Sequence, residues 1–508
     1  MRNAERTFAR QRSPLALPDD MFQDVLHILI ALTLVVMTIA CSIISMPFGV
    51  AVTLATTAVF AVVHPTSLPT IIAFSFLYQN TVIAMFGELI ESDGAFDMLR
   101  GTNFVVLVAS TGICVLGAIV QPGRLNPFTR RWLLASMAVV GVILVYLALG
   151  AARGAPRDAI VYFRNIVTPI ACFVIGLVIS SFYKAEMRRP IIVLGVGAIV
   201  YGYCELVFGF DFLALFNGDG YVERRIVRQI ETGYWERILD TSGFVLRGLE
   251  DVMMTPMFNI PGMEGVFPNV LRLSGPNFHP ISFAYGLAII SVWLLIRNRL
   301  FFALAALPIL VIIGSKGALI TLMAAMAIKL SLLVLPVRGT ILAFFGAAIL
   351  YLAAAIIYGK SVGDYHVLGL FAGLRDFFRN PIGQGLGFGG NLSSTIENNV
   401  DWSRAQLQGV ADIPMESAFG VMIYQMGAAA MAYYGFLIAL GRKCLATYLS
   451  FREPDALFGL VVIVMISLNS VLQEEAFFSP LSLGFALLLV GLSFGRTMAG
   501  SARTKVAP

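Results

Sequence analysis

Charge is what this sequence has least of: 35 basic and 30 acidic residues among 508 make up only 13% of the chain. A soluble domain carries roughly 25% charged residues, so a water-exposed globular fold is excluded. Disorder is excluded as well, because it requires low hydrophobicity and high net charge, whereas 58% of these residues are apolar and the net charge is +5. Cysteine is scarce. Cys41, Cys114, Cys172 and Cys204 fall within apolar runs and Cys444 in a short basic connection, which implies no disulfide framework. The four histidines, His27, His64, His279 and His366, are scattered without metal-ligand spacing, so neither a zinc site nor a cofactor is expected. No segment alternates with the period-two pattern of an outer-membrane barrel.

Long apolar runs are what is there, with a mean hydropathy of +0.84. A spanning helix needs about 20 mostly apolar residues. Fourteen runs read as spans, at 25–45, 47–63, 68–90, 104–120, 132–150, 166–183, 191–210, 280–296, 300–315, 317–335, 340–359, 416–440, 457–478 and 480–495. The second, ninth and last are short. An all-α polytopic membrane bundle of about 14 helices is therefore expected. Residues 1–24, with Arg2, Arg6, Arg10 and Arg12, superficially suit a signal peptide, and "TIAC" ending at Cys41 a lipoprotein site. The many spans that follow favour an uncleaved first helix. With the N-terminus in the cytoplasm, 20 basic and 7 acidic residues lie inside, giving +13 inside and −8 outside, as the positive-inside rule requires. The chain then divides into a cytoplasmic tail 1–24, one transmembrane domain 25–495 and a cytoplasmic tail 496–508.

Two connections, about 211–279 and 360–415, are long, and both fall outside. In the first, Val222, Ile226 and Ile230 recur at every fourth residue between charges, which predicts a short amphipathic helix at the interface. Transporter chemistry sits at the bilayer midplane; two structured outside loops point instead to a working site at the outer surface.

Several outside residues run against the charge trend. Arg157 and Arg164 are seven apart, hence on one helical face behind Pro156. Arg272 stands in "RLSGPNFHP", and Lys316 in the tight "GSKGA" turn. Such residues either snorkel to lipid phosphates and pair with outside carboxylates, or converge on a phosphate or pyrophosphate. The stretch "RNPIGQGLGFGGN" holds Gly383, Gly385, Gly387, Gly389 and Gly390. No strand–helix unit surrounds it, so it is not a dinucleotide fingerprint. It reads as a flexible turn, or as backbone brought close to a polar ligand. Glu205, Glu474 and Glu475 stand at outer ends of runs, and Glu416 opens one. Helix-start preference accounts for Glu416 by itself; in a partly desolvated groove it would be a general base for a sugar hydroxyl. His366, in "DYHVLGL", is the second candidate base.

The order of these pieces carries more than any one of them. Arg272…Gly275 before a span, a "SKGA" turn, "RNPIGQGLG" in a long outside loop, then Glu416-Ser417 with Gly427 ten residues after the serine resembles the O-antigen ligase/polymerase superfamily, over roughly residues 270–440. Arg272 sits where the family has the arginine of an "R-x-x-G-x-F-x-x-P-N" stretch, and Lys316 where ligases have the arginine of "S-R-G". "NPIGQGLG" is similar to the family's "N-P-L-G-x-G-x-G". Ser417 and Gly427 match the "H-[NSQ]-x9-G-x-x-[GTV]" motif, with Glu416 in place of its histidine and Ala430 at its last position.

The resemblance implies a GT-C-like glycosyltransferase of the bacterial inner membrane, similar to exopolysaccharide and O-antigen polymerases. Its substrate would be a polyprenyl-pyrophosphate-linked oligosaccharide. Membrane lipid, a flippase and chain-length or export proteins would be its partners, and nucleic acid is not among them. Arg272 and Lys316, with Arg157, Arg164 and the backbone at Gly383, Gly385 and Gly387, would bind the donor, and Glu416 or His366 would accept the hydroxyl proton. A ligase passing finished glycan to another acceptor is the alternative within this class. A lipid-linked-oligosaccharide flippase is the alternative from another class; against it, no internal repeat is visible and the main polar residues deep in the runs are Asn80, Asn469 and Gln473.

Overall fold

The computed structural model describes residues 19–183, 187–231, 253–257, 266–393 and 401–498. The four N-terminal arginines, Lys184, and the 232–252 continuation of the amphipathic stretch lie outside the described residues. Helices α1 (Asp19–Ile44), α2 (Met46–Val63) and α3 (Leu68–Met85) open the chain, and a short α4 (Asp93–Arg100) leads into α5 (Thr102–Val120). Next come α6 (Pro127–Ala152), α7 (Pro156–Phe182) and α8 (Arg188–Phe208), then two small helices, α9 (Phe210–Ala214) and α10 (Gly218–Glu231). A minimal antiparallel hairpin of β1 (Met254–Pro256) and β2 (Asn269–Leu271) precedes α11 (Pro280–Ile296), α12 (Leu300–Ala305) and α13 (Leu307–Ile313). The second half continues with α14 (Lys316–Val334), α15 (Val337–Val362), α16 (Tyr365–Arg379), α17 (Trp402–Gln408), α18 (Ala418–Met426) and α19 (Ala430–Phe451). It closes with α20 (Pro454–Asn469), α21 (Glu475–Phe478) and α22 (Phe485–Ser493).

Among the described residues, ten helices are long and apolar enough to cross a membrane. Four shorter apolar helices, Pro280–Ile296, Leu300–Ile313, Pro454–Asn469 and Pro480–Arg496, stand where the sequence has its remaining runs. The chain is a multi-pass helical membrane bundle, the outcome expected when lipid leaves the backbone no partner but itself. Local chemistry sets many boundaries. Asn126 accepts the Thr129 N–H at 2.8 Å, with Pro127 opening α6, and Ser417 accepts the Gly420 N–H at 3.1 Å at the start of α18.

At the centre, α7 packs on α5, α6 and α22. A Cβ on Gly176 would lie 2.5 Å from the Leu488 carbonyl oxygen, so α7 and α22 meet backbone to backbone, the close packing that small residues permit in membranes. Trp132, Phe173, Phe436 and Phe494 interlock edge to face beside this contact, with ring centroids 5.2–6.2 Å apart. At the end opposite the long connections, Asp455 is bonded to both Arg188 and Arg297, tying α20 to α8 and α11.

Three expectations change. The run at 457–478 stops as a helix at Asn469, so Glu474 and Glu475 belong to a separate turn and not to the end of a span. The run at 416–440 starts after Ser417, breaks at Gly427 and continues to Phe451. The amphipathic helix exists as α10, but it docks on protein: Val222 and Ile226 are buried, Tyr221 packs between Phe96 and Phe278, and Ile230 stays exposed.

Candidate functional site

The two long connections converge at one end of the bundle, and the candidate site is built there from segments far apart in the chain. The first segment carries Arg272, whose N–H donates to the Met253 carbonyl at 2.8 Å. The loop after it is held rigidly. The Glu205 carboxylate accepts the Ser274 N–H (2.8 Å), the Ser274 hydroxyl (2.9 Å) and the Gly275 N–H (2.8 Å), and Asn80 donates to the Asn277 carbonyl at 2.6 Å. Glu205 is thus occupied as an anchor and is not available for chemistry. Burial lowers the Arg272 pKa from its ordinary value, and Glu475 opposes that shift. Its Nε is buried without a hydrogen-bond partner among the described residues.

Other guanidinium groups gather beside it. Burial first, then Arg225, Arg100 and Arg272, push His279 down to about 3, so this imidazole is neutral and accepts the Ser282 N–H at 3.3 Å as the cap of α11. Arg225 donates to the Phe278 carbonyl at 3.1 Å, and Arg100, paired with Asp97 at 3.5 Å, lies within electrostatic range of Arg164.

Carboxylates reach Arg272 as well, through Glu475. Glu474 is 2% exposed and accepts the Asn391 N–H (3.1 and 3.2 Å to its two oxygens) and the Glu416 N–H (3.1 Å). Glu416 itself has φ +65°, an uncommon left-handed conformation for a glutamate. The His366 Nδ1, at the start of α16, lies 3.3 Å from the Glu416 carbonyl oxygen and 3.6 Å from its carboxylate. Glu475 lies within electrostatic range of Glu416, His366 and Arg272 together. Burial, then neighbouring carboxylates, raises both Glu474 and Glu475 above the ordinary carboxylate range. Burial among neighbouring carboxylates thus favours the neutral form of Glu474 and Glu475.

The glycine stretch does not form a flexible turn. All five glycines have positive φ, and the segment threads between helices. A Cβ on Gly385 would meet the Gly150 backbone nitrogen at 2.6 Å, one on Gly387 the Ala159 nitrogen at 2.6 Å, and one on Gly383 the Gly427 nitrogen at 2.5 Å. The space that glycine opens at Gly383, Gly385 and Gly387 is filled by protein backbone, not left for a ligand. The Gln384 and Gly385 N–H groups donate to the Tyr424 and Gln425 carbonyls at 2.9 and 2.8 Å, and the Leu386 N–H to Tyr146 at 3.0 Å. The stretch leaves that wedge at Asn391, where Glu474 holds it.

Arg157 is exposed and Arg164 half-buried, so their shared spacing does not give them shared surroundings; Arg164 joins the arginines. Lys316 is exposed as the first residue of α14. One layer separates it from the carboxylates: Gly317 abuts the Tyr285 hydroxyl, which donates to Gln473 at 3.0 Å. Two members of the cluster, Arg100 and Arg225, were not singled out from sequence; Glu474 and Glu475 were noted only as acidic residues at the outer end of a run. Only the excess of basic residues outside hinted at the two arginines. Comparison with family models, curated proteins and solved structures finds no match to this chain.

Proposed function

We propose that this protein is a GT-C-like polysaccharide polymerase with fourteen spans and both termini cytoplasmic, acting at the outer face of the bacterial inner membrane. The observation that carries the reading is the junction at Glu475, where a nest of arginines meets a carboxylate–imidazole pair at the end of the bundle with the long loops. Glycosyl transfer from polyprenyl pyrophosphate needs those two chemistries side by side. The hydroxyl oxygen of the incoming lipid-linked repeat attacks the anomeric carbon of the growing glycan. The bond from that carbon to pyrophosphate breaks, and polyprenyl pyrophosphate leaves with the electron pair. Arg272, supported by Arg225 and Lys316, stabilises the charge that grows on it. Glu416, with His366 at its side, accepts the hydroxyl proton, and holding both lipid-linked reactants in one groove supplies orientation.

In-vitro extension of a purified lipid-linked repeat unit tests this. Arg272→Ala and Glu416→Gln are each expected to lower chain growth by about 10²-fold or more. Near-wild-type growth in either variant overturns the assignment. In cells, loss of a polymerase leaves single repeat units outside. Units stranded on the cytoplasmic leaflet would mark a flippase instead.

A further inference from the structure

A cavity of about 450 Å³ lies at bilayer depth between α14 and α15, floored by Met465. On α14 its wall is Ile320, Ala324, Ala327 and Ser331, the helical face that continues one turn upward to Lys316. On α15 the wall includes Ala343, Ala347 and Tyr351. Met323, Ala327, Ala343 and Ala347 are exposed, so the groove opens sideways, where a membrane protein meets lipid. The alanines leave the two helices underfilled from Ile320 to Ser331 of α14, about 16 Å. Its upper end is polar and leads to the candidate site. The Tyr351 hydroxyl donates to Asn469 at 3.4 Å, Asn469 donates to the Gly317 carbonyl at 2.9 Å, and Gly317 abuts Tyr285, the partner of Gln473. An apolar trough with a lysine at its head and an arginine nest one layer beyond complements a long-chain lipid whose headgroup is anionic.

We propose that this groove holds the first isoprene units of the polyprenyl chain of the donor, with its pyrophosphate between Lys316 and Arg272. The proposal rests on the polymerase reading for the identity of the lipid. It makes α14 and α15 the element that selects the carrier chain and sets the height of the anomeric carbon.

The test uses the full-length protein in nanodiscs and a polyprenyl pyrophosphate carrying a diazirine near its third isoprene unit. Photolabelling is expected on peptides of α14 and α15. Ala347→Trp and the milder Ala343→Leu fill the groove and are expected to abolish or weaken it. Leu342→Trp, an exposed position of α15 outside the groove lining, should leave labelling unchanged. Displacing about two buried methylenes corresponds to about a tenfold rise in the KM for the lipid-linked donor, with kcat retained. Labelling at other helices, labelling indifferent to both groove-filling variants, or complete competition by excess phosphatidylglycerol would overturn the proposal. A wild-type protein that labels in the groove but extends no glycan supports the groove and refutes the polymerase reading. Normal extension with unaltered donor KM in Ala343→Leu does the reverse.

Discussion

Glu474 is the residue whose loss should unmake the site while leaving its chemical groups in place. Its carboxyl is buried and satisfies two backbone donors from different segments, the Asn391 N–H at the exit of the glycine wedge and the Glu416 N–H before α18. Glu474→Ala orphans both. A buried donor left without a partner costs about 1–3 kcal/mol, so the substitution is expected to destabilise by about 2–6 kcal/mol. Glu416 would also lose the tether that holds its left-handed backbone, a conformation that costs roughly 1–2 kcal/mol outside glycine, and the base would drift from His366. Glu474→Gln behaves differently. One oxygen of the native carboxyl accepts both N–H groups at 3.1 Å, and an amide oxygen has two lone pairs to do the same. The carboxyl is already biased towards its neutral form. Glutamine should therefore stay within about 1 kcal/mol of wild type. Unfolding of the detergent-solubilised protein, with amide exchange at Asn391 and Glu416, measures both effects. If alanine melts like wild type, or glutamine is as damaging as alanine, the clamp reasoning is wrong.

The same carboxyls predict a pH dependence. Glu474 and Glu475 have folded pKa values raised above their unfolded ones. The stability they contribute is complete below the ordinary carboxylate value of about 4.3 and is lost as pH rises through the folded values. Thermal stability should fall as pH rises above the ordinary carboxylate range, with a flatter slope in Glu474→Gln; an unchanged slope would refute this. Gly385→Ala, at φ +93° with its Cβ 2.6–2.7 Å from the Gly150 backbone, should cost about 2–4 kcal/mol. Gly409→Ala, at φ +71° in open space, should cost only about 1 kcal/mol, and folded yield after detergent extraction ranks the two. Asp455→Ala removes the carboxylate that Arg188 and Arg297 share at the opposite end and should lower stability in the same unfolding assay, without touching the candidate site.

Much of the architecture was legible because lipid simplifies the rules. A backbone with no water to bond must close on itself, so apolar runs become helices, and the charge bias puts the two long connections on one side. Asn469 bonding across to α14, and Lys316 at the head of that helix, follow from position alone. Helix endings were less legible, because they depend on what the neighbouring turn docks against. The run that continues apolar to Phe478 breaks after Asn469, where the turn carries Glu474 into contact with Asn391 and Glu416.

The sequence by itself determined that this is a helical membrane protein, and it placed Arg272, Glu416 and His366 on its loop-bearing end. It could not say that His366 and Glu416 touch, that Glu475 lies within electrostatic range of both and of Arg272, or that Arg100 and Arg225 belong with Arg272 around His279. Nor could it distinguish glycines that cradle a ligand from Gly383, Gly385 and Gly387, whose open faces are filled by protein. The reason is physical. Hydropathy and helical period depend on residues within a few turns of one another and survive in one dimension. Electrostatic neighbourhood and close backbone approach depend on segments as distant as residues 100, 272, 366, 416 and 475 arriving at one point, which only the packed bundle arranges.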